Sequence, residues 1–117
     1  FRRVLFRSYA DSGRGYTVAG EIKPDFAAPA VSVYGPGLRQ NYVTYTGTSA
    51  AAAVTAGAVA QIMQWALVQQ NDPVMSNAAI KNMLIRGAKR SEDRGYPNRE
   101  WGYGALDVYQ AFEYLRL

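Results

Sequence analysis

Among 117 residues there is no cysteine and no histidine. The first absence excludes disulfides and thiolate metal sites. The second removes the side chain that most often serves as general base near neutral pH. Acid–base chemistry here would need an unusual base, or one supplied from outside this chain. Charge is sparse as well: 19% of residues are charged against 49% apolar, a globular balance and not a disordered one. Long hydrophobic runs are scarce. The longest, Ala50 to Val68, is mostly alanine and is interrupted by Thr55, Gln61 and Gln64, which argues against a membrane span. The length allows one small domain and not two.

The formal net charge is +4, but Arg2, Arg3 and Arg7 all lie in the first eight residues, FRRVLFRS. That octet looks like the in-frame translation of a sequencing-library adaptor, a kind of segment set aside in fold reasoning. Without it ten basic residues face nine acidic ones, for a net charge of +1. Residues 1–8 are therefore read as non-native, and residues 9–117 as the tail of something longer. The octet is followed by YADSGRGYT and not by an apolar core, so it does not read as a secretion signal.

Residues 9–21 carry Gly13, Gly15 and Gly20 beside Asp11 and Ser12 and read as a loop. Pro24 and Pro29 then impose an extended course on the residues before them. Val31 to Tyr34 and Tyr42 to Tyr45 are short strand candidates around the turn GPGLRQN, which predicts a hairpin. From Ser49 to about Gln69 the composition is helical. Its first half is almost all small, while Ile62, Met63, Trp65, Ala66 and Leu67 gather in the second. Small residues let backbones approach closely, so this helix is expected in the crowded middle of a domain. Ser76 predicts a cap for a helix over 77–88, with Ile80, Met83, Leu84 and Gly87 on one face. Asp107 caps a last helix over 108–115, with Val108, Ala111, Phe112 and Leu115 inward. The overall reading is α/β.

Ser49 is the candidate for chemistry. A serine at a helix start is commonly a cap whose oxygen satisfies an orphan N–H. It can also be a nucleophile: the dipole end favours developing negative charge, and its own N–H can donate to an oxyanion. A glycine two residues earlier lets a substrate backbone come close. Local composition leaves both readings open.

Four segments bear on the choice. They are Ser12-Gly13-Arg14-Gly15, then Gly20-Glu21-Ile22-Lys23-Pro24-Asp25 with Ala28-Pro29. Gly47-Thr48-Ser49-Ala50-Ala51-Ala52-Ala53 follows with Ala56-Gly57, and finally Gly102-Tyr103-Gly104 with Leu106-Asp107. In that order they resemble the subtilisin-like serine proteases: the S-x-x-G stretch, G-x-x-K-P-D with A-P-G, the serine segment G-T-S-x-A-x-P with A-G, and the G-x-G-x-[apolar]-D that opens the closing helix. YGP, NDP, RGAKR and YPNREWGYG look most like the clostridial branch that includes the spore-germination (Csp-type) proteases. The resemblance spans nearly everything after residue 8.

It implies the C-terminal part of a three-layer catalytic domain, contributing a β-hairpin, a central serine-bearing helix and two further helices. It implies Ser49 as nucleophile of a serine endopeptidase, with its N–H as one oxyanion donor. Thr46, Gly47 and Thr48 would line the substrate cleft, and Tyr45 would stand at its rim on the leaving-group side. The His and Asp of the triad and an oxyanion Asn would lie N-terminal to this chain, in the missing part of the same domain. The implied partner is a protein or peptide substrate, with no nucleic acid and no membrane. No cofactor or metal is implied for catalysis, although a structural calcium is compatible with the full-length parent. A secreted, cell-surface or spore-associated setting goes with the family. The chain alone is expected to be catalytically silent and poorly stable, with the serine helix exposing apolar surface.

Two positions depart from the pattern. Ala53 stands where the family usually has Pro, in first-turn territory where either residue is tolerated. Ala30 replaces the glycine of A-P-G and would be strained if that backbone needed positive φ. A pseudoprotease scaffold of the same fold is the alternative to the enzyme, and a small independent binding domain with a genuine octet is a third reading. Asp25 reads as a turn or salt-bridge residue more readily than as a cation ligand. The cations Arg86, Lys89, Arg90, Arg94 and Arg99 are interrupted by Glu92, Asp93 and Glu100 and read as a solvated loop, not a nucleic-acid patch. Trp65 and Trp101 read as core or contact residues, and Phe112 and Tyr114 as anchors of the closing helix.

Overall fold

The computed structural model describes residues 8–116. The adaptor reading of the octet falls, for residues 1–7, outside the described residues. The elements run β1 (Val33–Pro36), β2 (Tyr42–Tyr45), α1 (Thr48–Met63), α2 (Asn77–Gly87) and α3 (Val108–Glu113). A π-helical turn, Gln64–Val68, continues α1, and a 3-10 turn, Tyr114–Arg116, continues α3.

β1 and β2 form an antiparallel hairpin in the register Val33↔Tyr45 to Pro36↔Tyr42. The first strand starts two residues later than the β-branched pattern of 31–34 predicts. The cause is Ser32, whose φ of 53° turns the chain out of the extended region. At the tip Asn41 N–H donates to Leu38 O at 3.2 Å, with Arg39 and Gln40 both at positive φ. That is the backbone a tight hairpin with right-handed strand twist requires.

α1 begins at Thr48 because Gly47 adopts φ 143°, ψ 166°. It gives way to the π-turn after Met63, where Gln69 N–H reaches back to Gln64 O. The polar residues beyond satisfy the last carbonyls: Asn71 donates to Trp65 O, Gln70 to Leu67 O and Asp72 N–H to Ala66 O. Ser76 and Asp107 cap α2 and α3 as the sequence predicts, accepting from Ala79 N–H and Gln110 N–H. The last α-helix is shorter than 108–115. Leu115 falls in the 3-10 turn and is exposed, not inward as the helical spacing predicts.

The core sits where α2, α3 and the second half of α1 meet. Ile62, Ile80, Met83, Leu84 and Ala111 are buried there, with Phe26, Val59, Met75, Leu106 and Phe112 packed around them. Trp65 meets Phe112 edge-on with 5.8 Å between ring centroids. Trp101 is buried and Tyr114 lies on the surface under the Arg86 guanidinium. The stretch of α1 before Ile62 is different. Ala52, Ala53, Ala56, Gly57 and Ala60 are exposed, so within the described residues this helix is not enclosed on all sides. Thr48–Val68 is long and apolar enough to cross a bilayer, yet only 17% of its most apolar window is buried here.

Two lacing segments tie the sheet side to the helices. Phe26 bridges Gly102, Ala27 bridges Ala105, and Ala105 bridges Lys89 at the end of α2. The Gly-Tyr-Gly connector needs its glycines. Gly102 has φ 58°, and a β-carbon there would lie 2.2 Å from Pro24 O, a contact no side chain tolerates.

Candidate active site

Tyr45, Thr46, Gly47, Thr48 and Ser49 are consecutive and occupy the junction between β2 and α1. The chain reverses there from extended to helical. Gly47 is the N-cap position, so Ser49 is the second helical residue and not the cap. The capping reading of Ser49 is thereby corrected: its oxygen is not engaged with the helix backbone. Ser49 is exposed, and its hydroxyl has no hydrogen-bond partner among the described residues. Its N–H is likewise without a partner among them, since the first helical bonds run from Ala50 and Ala51 N–H to Gly47 O. No acidic side chain lies in the first turn of α1 to offset the dipole. The serine thus presents a hydroxyl and a donor N–H at the positive end of a 16-residue helix.

Two hydrogen bonds fix the approach to this turn. Gly47 N–H donates to Ala30 O at 2.7 Å, and Ser32 N–H donates to Thr46 Oγ1 at 2.9 Å. Gly47 is the position where glycine is required for conformation, because φ 143° is strained for any side chain even where space is open. Tyr45 is half exposed, and its hydroxyl donates to Pro36 O at 2.8 Å, bracing the hairpin. Ala30 carries no positive φ; that conformation falls on Ser32 instead, so the alanine in place of glycine brings no strain of this kind. Sequence reasoning placed Ser32 inside a strand and missed its bracing role. The observed hairpin register, continued by one step, sets Ser32 opposite Thr46, whereas the strands predicted from the sequence would not have paired them.

Beside the helix start lies a cleft of about 700 Å³ lined by Phe26, Ala28, Thr48, Ala51, Trp101 and Leu106 among others. Ser49 is not among its lining residues, although its neighbour Thr48 is.

Asp25 is held between two cations. Lys23 Nζ lies 3.0 Å from Oδ1 and Lys81 Nζ 3.1 Å from Oδ2. Partial burial pushes the Asp25 carboxyl up, but the hydrogen bonds and charges of the two lysines outweigh it and hold it below its ordinary value. The same pairing raises the Lys23 ammonium, chiefly through its hydrogen bond to Asp25. This does not fit a calcium ligand, and no group of three or more potential ligands occurs among the described residues. The salt-bridge reading of Asp25 holds. The basic loop is more ordered than a solvated loop: Arg90 donates to Tyr103 O and Ile85 O, and the guanidinium of Arg94 covers Trp101.

The comparisons with known proteins agree on one family. The model of the subtilase family, peptidase S8, matches residues 8–104. The chain belongs to the subtilase family. It is 33% identical over 96 residues to the membrane-bound transcription factor site-1 protease of Mus musculus, covering 82% of this chain and 9% of that protein. It is 29% identical over 106 residues to the C5a peptidase of Streptococcus pyogenes, again 9% of that protein. The solved structure of the Clostridium perfringens CspB protease superposes with a TM-score of 0.89 at 34% identity, over 99% of this chain and 25% of that one. This subtilase chain therefore has the subtilisin-like serine protease fold, with resemblance to the clostridial Csp type. It spans about a tenth of the curated relatives it matches.

Proposed function

We propose that this chain is the serine-bearing C-terminal part of a subtilase catalytic domain and that the full-length protein is a serine endopeptidase. The observation that carries the reading is the Ser49 turn: an exposed, unengaged hydroxyl at the positive end of α1, next to its own free N–H, inside the segment matched by the family. In the mechanism, Ser49 Oγ attacks the peptide carbonyl and a histidine outside this chain takes its proton. The Ser49 N–H donates to the oxyanion, and water then releases the acyl-enzyme. Thr46 to Thr48 form the cleft wall beside the attacked carbonyl, and Tyr45 stands on the leaving-group side. The substrate is a peptide or protein segment.

The chain by itself has no histidine and is catalytically silent in this reading. No metal takes part in the chemistry. Three of the five cations at 86–99, Arg86, Arg90 and Arg94, are engaged with internal carbonyls or rings, which speaks against a nucleic-acid role. The family match covers Thr48–Val68, which speaks for a domain helix and against a membrane span. The test is peptide hydrolysis by the full-length protein and its Ser49→Ala variant. Removing a triad member costs roughly 10⁶-fold in rate, so the variant should fall to background. Hydrolysis unchanged by Ser49→Ala refutes the assignment, and a well-folded full-length protein without any hydrolysis favours the scaffold reading.

A further inference from the structure

The turn that carries Ser49 is held by an atom that family likeness alone would hand to the substrate. The hairpin register pairs Val33 with Tyr45 and, continued by one step, brings Ser32 opposite Thr46. At φ 53° Ser32 has left the extended conformation, so the ladder cannot continue through backbone groups alone. Its N–H finds the side-chain oxygen of Thr46 instead, at 2.9 Å. One residue on, Gly47 N–H reaches Ala30 O at 2.7 Å. Thr46 is thus gripped through its side chain and Gly47 through its backbone. Gly47 has no side chain to restrain it and sits at φ 143°. These two bonds are the hydrogen bonds that fix the path into α1, where Ser49 follows two residues later.

We propose that Thr46 is a positioning residue for Ser49 and that its hydroxyl is not a substrate contact: Oγ1 replaces the lost ladder acceptor and locks the Gly47–Ser49 turn. This rests on Ser49 being the nucleophile. Without Oγ1 the strained Ser32 loses its tie, and the turn hangs on the single Gly47–Ala30 bond. A nucleophile displaced by about 1 Å can lose roughly 10²-fold in rate. Ground-state binding of the peptide would change far less.

The experiment uses the full-length protein with Thr46→Val, which keeps the shape and removes the oxygen, and Thr46→Ser, which keeps the oxygen. Rates are normalised to active sites titrated with an acylating burst substrate, so unfolded material does not count. Thr46→Val should lower kcat per site by roughly 10- to 100-fold with KM nearly unchanged, and Thr46→Ser should recover most of that loss. If valine prevents accumulation of folded protein, Thr46→Ala provides the same comparison. A raised KM with unchanged kcat makes Thr46 a substrate contact and overturns the proposal, as does a serine variant as slow as the valine one. Ser49→Ala run in parallel separates the failures: activity surviving there refutes the protease reading itself, whereas activity lost there but untouched by Thr46→Val refutes only the positioning role.

Discussion

Two glycines, both inside helices, face opposite surroundings. A β-carbon built on Gly87 in α2 would lie 2.6 Å from the Ala111 backbone, whereas one built on Gly57 in α1 would meet nothing within 4 Å. α2 and α3 are pressed together until only hydrogen fits between them. The stretch of α1 before Ile62, far richer in small residues, presents Ala52, Ala53, Ala56 and Ala60 to open space. Small side chains in the first case are explained by a neighbour in the structure. In the second they call for a neighbour that the described residues do not supply, and the proposed remainder of the catalytic domain is of the right kind to provide it. The closed half and the open half meet at Ile62, the largest fully buried side chain.

The comparison can be broken most forcefully at that junction. Ile62→Ala should destabilise the folded protein by about 2–5 kcal/mol, and Gly87→Ala by about 1–3 kcal/mol through overpacking against Ala111. Both are read from urea midpoints of the full-length protein. A smaller and more informative effect lies at Gly57. If its surroundings stay open, Gly57→Ala should stabilise by about 1 kcal/mol through helix propensity. If the rest of a catalytic domain closes over α1, the same change should be destabilising in the full-length protein. Measuring it in the isolated chain and the full-length protein sharpens the contrast, and the same sign in both would leave the open face without a covering partner.

The smallest effect concerns Asp25, which ties the Lys-Pro-Asp loop to α2 through Lys81. Its folded-state carboxyl is depressed relative to the unfolded chain. Its contribution is therefore fully present above the unfolded value and is lost as pH falls through the lower folded one. Asp25→Asn should lower stability modestly at neutral pH, and its difference from the parent should vanish as pH falls through the folded-state value, which flattens that acid limb of the stability curve. An unchanged acid limb would show that the lysine pair is not energetically coupled to folding.

Much of the closed half was legible in the sequence. Ser76 and Asp107 cap helices as their side-chain chemistry dictates, and Ile80, Met83, Leu84 and Gly87 lie on one buried face because helical spacing puts them there. The Ser49 segment could be located from its residues and their resemblance to the family. Its geometry could not. That the helix starts at Thr48 follows from Gly47 at φ 143°, and the displaced first strand follows from Ser32 at φ 53°. Both conformations are imposed by bonds to residues 14 to 17 positions away, Ser32 to Thr46 and Gly47 to Ala30. No local propensity encodes such a pairing. The π-turn after Met63 escaped for a similar reason: it depends on Gln70, Asn71 and Asp72 folding back onto carbonyls of the preceding turn.

The most direct measurement is covalent labelling with a fluorophosphonate, which reacts with activated serines, followed by peptide mapping. The full-length protein should carry the adduct on Ser49, and the isolated chain under the same conditions should carry none, because nothing in it activates the hydroxyl. An adduct on a different serine in the full-length protein, or equal labelling of Ser49 in the isolated chain, would contradict this assignment of the nucleophile.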